Sequence, residues 1–274
     1  MKFAICNETF QDWPLDRAAA LAQECGYQGI EIAPFTIADS VYDISPDTRD
    51  QLRRQAEDAH LEVIGLHWLL AKTKGYYLTS PDAEVRRRTG EYLGELARFC
   101  RDLGGRLMVL GSPDQRNLLP GISHEEAMRH AADVIRQAAP VMEDCGVTLA
   151  VEPLGPAEGD FLQTTKLGAE LVEMVDSPRC RLHLDVKAMS SEDRPIPDII
   201  RENAAILEHF HANDPNLRGP GMGEMDFVPI FATLREIDYQ GWVSVEVFDY
   251  SLGAETLARE SIRYMRACLE RLTG

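Results

Sequence analysis

The chain is 274 residues long, 45% apolar and 27% charged, with a formal charge of −17, the composition of a globular protein with a large core. So acidic a surface argues against nucleic-acid binding, which needs clustered Lys and Arg to neutralise phosphate. No apolar stretch approaches the ~20 residues of a membrane helix, and "MKFAIC" opens at once on a strand-like run with no room for a targeting segment.

Short apolar runs alternate with amphipathic segments along the whole chain. The first two runs are "FAIC" near 3–6 and "GIEIAPF" near 29–35. Ser45-Pro46-Asp47 then offers a capping hydroxyl ahead of a proline at a first helical position. "LEVIGLHWLL" near 61–70 reads as a third strand, and Ser80-Pro81-Asp82 as a second helix start of the same kind. Leu93, Leu96, Cys100 and Leu103 follow at steps of three and four, the spacing of a buried helical stripe. "RLMVLGS" near 106–112 is the fourth run, and the longest polar interruption, "SPDQRNLLPGISHEE", follows it. Met128, Ala131, Ile135, Ala138 and Met142 mark the next helix. Four more runs are "VTLAVEPL" near 147–154, "CRLHLDV" near 180–186, "ILEHFHAND" near 206–214 and "WVSVEVF" near 242–248. Ile262, Met265, Leu269 and Leu272 give the last segment helical spacing. "ECGYQGIEI", "DLGGRLMVL" and "DCGVTLAVE" each place a glycine between a helix end and a strand.

Eight continuous apolar runs, each followed by helical spacing, predict parallel strands covered on both faces. The fold class is α/β, a (β/α)8 TIM barrel, with residues 1–274 forming a single domain. An open doubly wound sheet is the competitor, but no GxGxxG follows the first strand. The scattered cysteines (Cys6, Cys25, Cys100, Cys145, Cys180 and Cys268) form no CxxC pair. They read as reduced thiols of a cytoplasmic protein.

A barrel presents its chemistry at the C-terminal ends of its strands. Read in order, those ends carry Glu31, His67, Glu152, Asp185, His211 and Glu246. Four of them, Glu152, Asp185, His211 and Glu246, close consecutive strands five to eight. Adjacent strands lie about 5 Å apart, so four such ends can converge on one point. Three carboxylates with one imidazole make a hard ligand set that suits Mn²⁺, with Mg²⁺ or Co²⁺ as alternatives, better than structural zinc. Strand alternation puts His183 on the face of Asp185 and His209 on the face of His211, two positions deeper. These two are expected to be supporting or interior histidines.

Together, "VEPLGPAEGDFLQT", "LHLDVKAM", "HFHANDPN", "GPGMGEMDF" and "VSVEVF" resemble the xylose-isomerase-like TIM-barrel superfamily, particularly its D-tagatose 3-epimerase and hydroxypyruvate-isomerase branches. The resemblance implies that Glu152, Asp185, His211 and Glu246 bind one divalent ion. It implies that Glu152 and Glu246 are also the acid and base on opposite faces of a ketose. Glu158 matches a glutamate that contacts the sugar, and Gly221, Gly223 and Asp226 match a G-x-G-x-x-D segment that opens a helix. Two positions depart from the pattern. Ala188, beside Lys187, stands where a histidine is expected, and Leu217, followed by Arg218, stands where an arginine is expected. Metal binding is thus expected to be kept and sugar recognition to differ.

The implied activity is a metal-dependent isomerase or epimerase working through a metal-stabilised enediolate. Glu158, Arg218, His67, Glu31 and Lys187 are the candidate substrate-binding residues, with Trp13, Phe35 and Trp68 as candidate walls. The expected partner is a small sugar, with neither nucleic acid nor membrane, and a homo-oligomer is left open. An inosose-type dehydratase on the same metal site and a non-catalytic sugar-binding barrel are the alternatives. An endonuclease IV-like phosphodiesterase is disfavoured by the charge and the smaller ligand set.

Overall fold

Strands covered on both faces are largely apolar, and three of them are buried along their whole length, a fourth in all but its first residue. Gly29–Ile32, Leu107–Leu110, Thr148–Val151 and the last four residues of Lys2–Cys6 are all buried. The computed structural model describes residues 1–272. Eight strands are present: β1 (Lys2–Cys6), β2 (Gly29–Ile32), β3 (Glu62–Leu66), β4 (Leu107–Leu110), β5 (Thr148–Val151), β6 (Cys180–Asp185), β7 (Leu207–Ala212) and β8 (Trp242–Val245). They close into a barrel in sequence order, every neighbouring pair parallel, with β1 paired to both β2 and β8. This is the TIM barrel that the alternation of runs predicts.

The helices are α1 (Leu15–Cys25), α2 (Pro46–Asp58), α3 (Ala83–Asp102), α4 (His124–Cys145), α5 (Thr165–Val175), α6 (Val186–Met189), α7 (Ile196–Asn203), α8 (Phe227–Glu236) and α9 (Ala254–Arg271). Their apolar stripes face the barrel. Met128, Ala131, Ile135, Ala138 and Met142 of α4 are all buried, as are Leu93, Leu96, Cys100 and Leu103. Ser45 caps α2 by accepting from the Thr48 amide at 3.1 Å. The start of α3 differs from the expected one. Asp82, not Ser80, is its cap, accepting from the Glu84 amide at 2.8 Å, so Pro81 lies outside the helix. An aspartate so placed competes well with a serine for the cap. Gly26 and Gly146 end α1 and α4 in the left-handed conformation, which a side chain would strain.

Every apolar run but the first is longer than its strand, and most of the surplus lies on the C-terminal side. The residues after Ile32, Leu66, Leu110, Val151 and Val245 leave the sheet and form the rim of the C-terminal face. Register shifts fall between Ile30 and Glu31 in β2 and between Leu182 and His183 in β6. Such bulges re-aim the side chains that follow them. Here both precede a polar residue of the barrel interior. Glu31, His67, His183, His209 and His211 are each at most 1% exposed. A buried polar layer thus crosses an otherwise apolar core, and its groups need partners. No helix among the described residues is long and apolar enough to cross a membrane.

Candidate active site

The barrel brings the ends of β5 to β8 together as adjacency requires. Asp185, the last residue of β6, lies opposite His211 of β7 in the strand register. Glu152 and Glu246 follow β5 and β8 directly, and both line one cavity of about 380 Å³. Donor atoms of Glu152, His183, Asp185 and His211 all lie within 4.8 Å of one another. His183, expected only to support the site, is thus one of the four. Neither of its ring nitrogens has a hydrogen-bond partner, and its Nε2 is 3.7 Å from Glu152 Oε1. A buried donor set with orphaned nitrogens and carboxylates is suited to a divalent cation.

Glu246 takes a different position from the one its strand end suggests. His211 Nδ1 donates to its Oε2 at 3.1 Å, and the Trp68 indole donates to its Oε1 at 2.7 Å. It stands one hydrogen bond from the cluster. On the other side, His211 Nε2 lies 3.3 Å from Glu31 Oε2, and His209 Nε2 donates to the same oxygen at 2.9 Å. The His211 ring is therefore fixed between two carboxylates. Gly111, just past β4, leaves room for the group, since a Cβ there would stand 2.1 Å from Glu152 Oε2.

Electrostatics separate these acids. Burial, then the charge of Glu246, pushes the Glu152 carboxyl well above its usual range. Burial raises Asp185 to about 6, although Lys187 opposes it. Burial works the same way on Glu246, but His211 outweighs it and holds that carboxyl at about 2. For His211, burial is outweighed by Glu246 and Glu31, which raise its pKa well above that of a free imidazole. His183 moves the other way, lowered by burial and by the charge of His211. These surroundings thus favour the ionised form of Glu246 and the protonated form of Glu152. A divalent ion held there would supply positive charge that favours the ionised forms of Glu152 and Asp185.

The remaining sequence-predicted residues fall in distinct places. Lys187 donates through Nζ to Glu158 Oε1 at 2.5 Å and covers the Phe248 ring, and Glu158 lines the cavity. Arg218 turns away to Asp249, 2.8 Å from its Nε. Glu31 is enclosed with His209 and His211, and His67 Nε2 donates to Glu8 Oε2 at 2.6 Å. Neither of these two lines the cavity that holds Glu152 and Glu246. Ala188 sits in the first turn of α6 and donates its amide to Asp185 Oδ1 at 2.7 Å. Asn213 donates to the other oxygen of Asp185 at 2.5 Å. Asp226 caps α8 at the end of the Gly221–Gly223 segment.

Two residues were not singled out in the sequence. Arg116, 2% exposed, donates to the Glu152 carbonyl at 2.6 Å and to the Leu110 carbonyl at 3.2 Å, tying β4 to the end of β5. Its signal was a lone arginine in the long polar loop after the fourth strand. Glu8, 4% exposed, lies in a short helical turn after β1. It lines a second cavity of about 740 Å³, walled by Trp13, Phe35, Trp68 and Tyr250. Trp68 and Lys72 border both cavities. Trp68 adopts a left-handed backbone (φ 53°) and packs between Phe35 and Phe248, with ring centroids 5.6 and 6.0 Å away.

Comparison with known proteins agrees with this architecture. The family model described as xylose isomerase-like TIM barrel matches residues 19–268. A "probable ketose 3-epimerase" of Synechocystis sp. is 26% identical over 262 residues, covering 89% of this chain and 88% of its own. A D-psicose 3-epimerase of Enterocloster bolteae is 28% identical over 251 residues, covering 88% and 79%. The crystal structure of D-psicose 3-epimerase with D-tagatose from Clostridium cellulolyticum H10 superimposes with a TM-score of 0.87 at 22% identity. It covers 98% of this chain and 99% of that one.

Proposed function

This chain belongs to the xylose isomerase-like TIM barrel family, and from that premise we propose that it is a divalent-metal-dependent epimerase or isomerase of a ketose. One observation carries the reading above others. Two buried carboxylates from different strand ends, Glu152 and Glu246, line a single cavity beside a cluster of cation-binding donors. The ketose 3-epimerase names of the relatives support the same reaction class.

Glu152, Asp185 and His211 would hold the ion, with His183 and Glu246 at its border. The ion, when bound, supplies electrophilic stabilisation of the negative charge that develops on the ketose oxygens. Mn²⁺ fits the hard, oxygen-rich set best, and Mg²⁺ and Co²⁺ share its preference. Glu246 starts ionised, so it can take a proton from the carbon next to the carbonyl. The Trp68 indole aims its Oε1. Glu152, having taken up a proton from solvent, returns it from its own side of the cavity, which inverts the carbon, and Glu246 gives its proton back to solvent. Arg116 holds the backbone of Glu152 in place, and Lys187 holds Glu158 against the cavity.

The test is solvent exchange. The Mn²⁺-loaded protein is expected to wash deuterium from D2O into the carbon beside the carbonyl of a ketose, followed by NMR across a panel of ketoses. Sugars that bind but never exchange would make the protein a sugar-binding barrel instead.

Metal binding has its own pH signature. Asp185 at about 6, and Glu152 and His211 above their ordinary values, keep protons in the cation-free fold. Their unfolded values are about 3.9, 4.3 and 6.5. Proton binding therefore stabilises the cation-free fold at low pH, and that stabilisation is lost as pH rises through the folded values. A cation competes with these protons and gains roughly tenfold in affinity per pH unit for each one displaced. The rise in melting temperature on adding Mn²⁺ should grow from pH 5 to pH 8. A rise that is flat or larger at pH 5 would place the ion elsewhere.

A further inference from the structure

We propose that the substrate is an uncharged ketose carrying a second sugar-sized group, and that Glu8, positioned by His67, receives a hydroxyl of that group. The proposal rests on the ketose reading above and specifies its substrate class.

The cavity that holds Glu152 and Glu246 has about 380 Å³, within the range of complete small-molecule sites. A free hexose is accommodated there. The adjoining lobe of about 740 Å³ is larger still, and Trp68 and Lys72 border both, so the two form one bent cleft. Glu8 in the second lobe, His67 and Glu246 in the first have donor and acceptor atoms within 4.8 Å of one another. His67 bonds Glu8 and lies near Glu246, with its Nδ1 unpartnered.

The chemistry of the lobe specifies its occupant. Trp13, Phe35, Trp68 and Tyr250 offer apolar faces for the C–H face of a sugar ring. Trp13 is held there by Phe10, with centroids 5.8 Å apart, and by the Arg17 guanidinium 3.5 Å over its ring. His67 takes one oxygen of Glu8, and the other, Oε1, is buried without any partner. An acceptor so left costs free energy until a donor reaches it. A ligand hydroxyl is such a donor.

Charge excludes a phosphorylated sugar. Among the described residues lining the two cavities, Lys72 is the one cationic side chain, set against Glu8, Asp12, Asp114, Glu152, Glu158 and Glu246. Lys187 is bonded to Glu158, Arg218 to Asp249, and Arg116 to backbone carbonyls. Phosphate recognition calls for convergent free cations or a helix N-terminus; the N-cap of α1, Pro14, does lie on the wall of the second lobe, but Asp12 and Glu8 line the same lobe and make it acidic.

The experiment compares D-fructose, D-fructose 6-phosphate, lactulose and isomaltulose, the last two being fructose units that carry a second sugar at different hydroxyls. Binding to the Mn²⁺-loaded protein is measured by calorimetry and turnover by deuterium exchange. At least one disaccharide should bind about tenfold more tightly than fructose, the scale of one buried hydrogen bond, and show the higher kcat/KM. Glu8→Ala should reduce that preference about tenfold through KM, and Glu8→Gln, which keeps an acceptor oxygen, should retain most of it. Equal loss on fructose and disaccharide in Glu8→Ala would make Glu8 structural and overturn its role. Preference for fructose or for fructose 6-phosphate in the wild-type protein would overturn the substrate class without any variant. Tight disaccharide binding with no exchange would sustain this inference while removing the epimerase reading, and binding of none of the four would overturn the inference.

Discussion

Replacing Glu246 with glutamine is expected to lower ketose turnover by ~10²–10⁴-fold, the usual contribution of a general acid or base. Glutamine is close in size, so the strand end and its packing persist. The amide cannot take a proton from carbon, and that loss is chemical. It also has one acceptor oxygen where Glu246 serves two donors, Trp68 Nε1 and His211 Nδ1. One donor then faces an NH2 group, a local cost of ~1–3 kcal/mol that a barrel of this size tolerates. Glu152→Gln should be as severe on the opposite side, with weaker metal binding because an anionic ligand has become neutral. Metal content should be measured beside turnover, so that chemistry and occupancy are separated. One variant still exchanging a substrate proton from its intact side would be the signature of two bases. Near wild-type turnover in both variants, each fully metallated, would remove the assignment.

Glu31→Ala should act on stability. Glu31 is fully buried and accepts from His209 at 2.9 Å and from His211 at 3.3 Å. Burial alone would raise its pKa, but the two imidazoles outweigh it and hold the carboxyl well below its usual value. It is an anion embedded among polarised donors, and removing one partner of such a set costs ~3–5 kcal/mol. The melting temperature should fall by on the order of 10 °C. The cost is the ring nitrogens of His209 and His211 left without their shared acceptor, so Glu31→Gln should lie between the wild type and Glu31→Ala. A loss below about 1 kcal/mol would mean that the histidine layer satisfies itself without Glu31.

Much of the architecture is legible in the sequence because parallel strands covered on both faces are apolar throughout. "LMVL" shows this most plainly, and all eight runs coincide with a strand to within a residue at its start. The strand ends were legible too, because each run turns polar where it leaves the sheet, as at Glu152 and Glu246. What the sequence hides is which side chain meets which. Trp68 bonds Glu246 across 178 positions and His67 bonds Glu8 across 59. Such pairs arise only when the sheet closes and its stagger sets the height of each residue. The same stagger places Glu31 against His209 and His211, although its strand-end position marks it for the rim. Glu8 had no periodic signal at all, since it follows the strand in a 3-10 turn. The exchange of Glu246 for His183 in the tight donor cluster depends on side-chain direction, which alternation alone leaves open.

The candidate reacting groups and the walls of the second lobe draw on opposite halves of the polypeptide. Glu152, His183, Asp185, His211 and Glu246 all come from the second half of the chain, and Glu8, Trp13, Phe35, His67, Trp68 and Lys72 from the first. Tyr250 is the one wall of the second lobe that comes from the other half. These stretches of sequence are joined across the barrel by the Trp68–Glu246 hydrogen bond and by the contacts of Glu31 with His209 and His211. The first half can diverge toward new sugars while the second keeps its chemistry intact, as when a tool takes different heads on one handle.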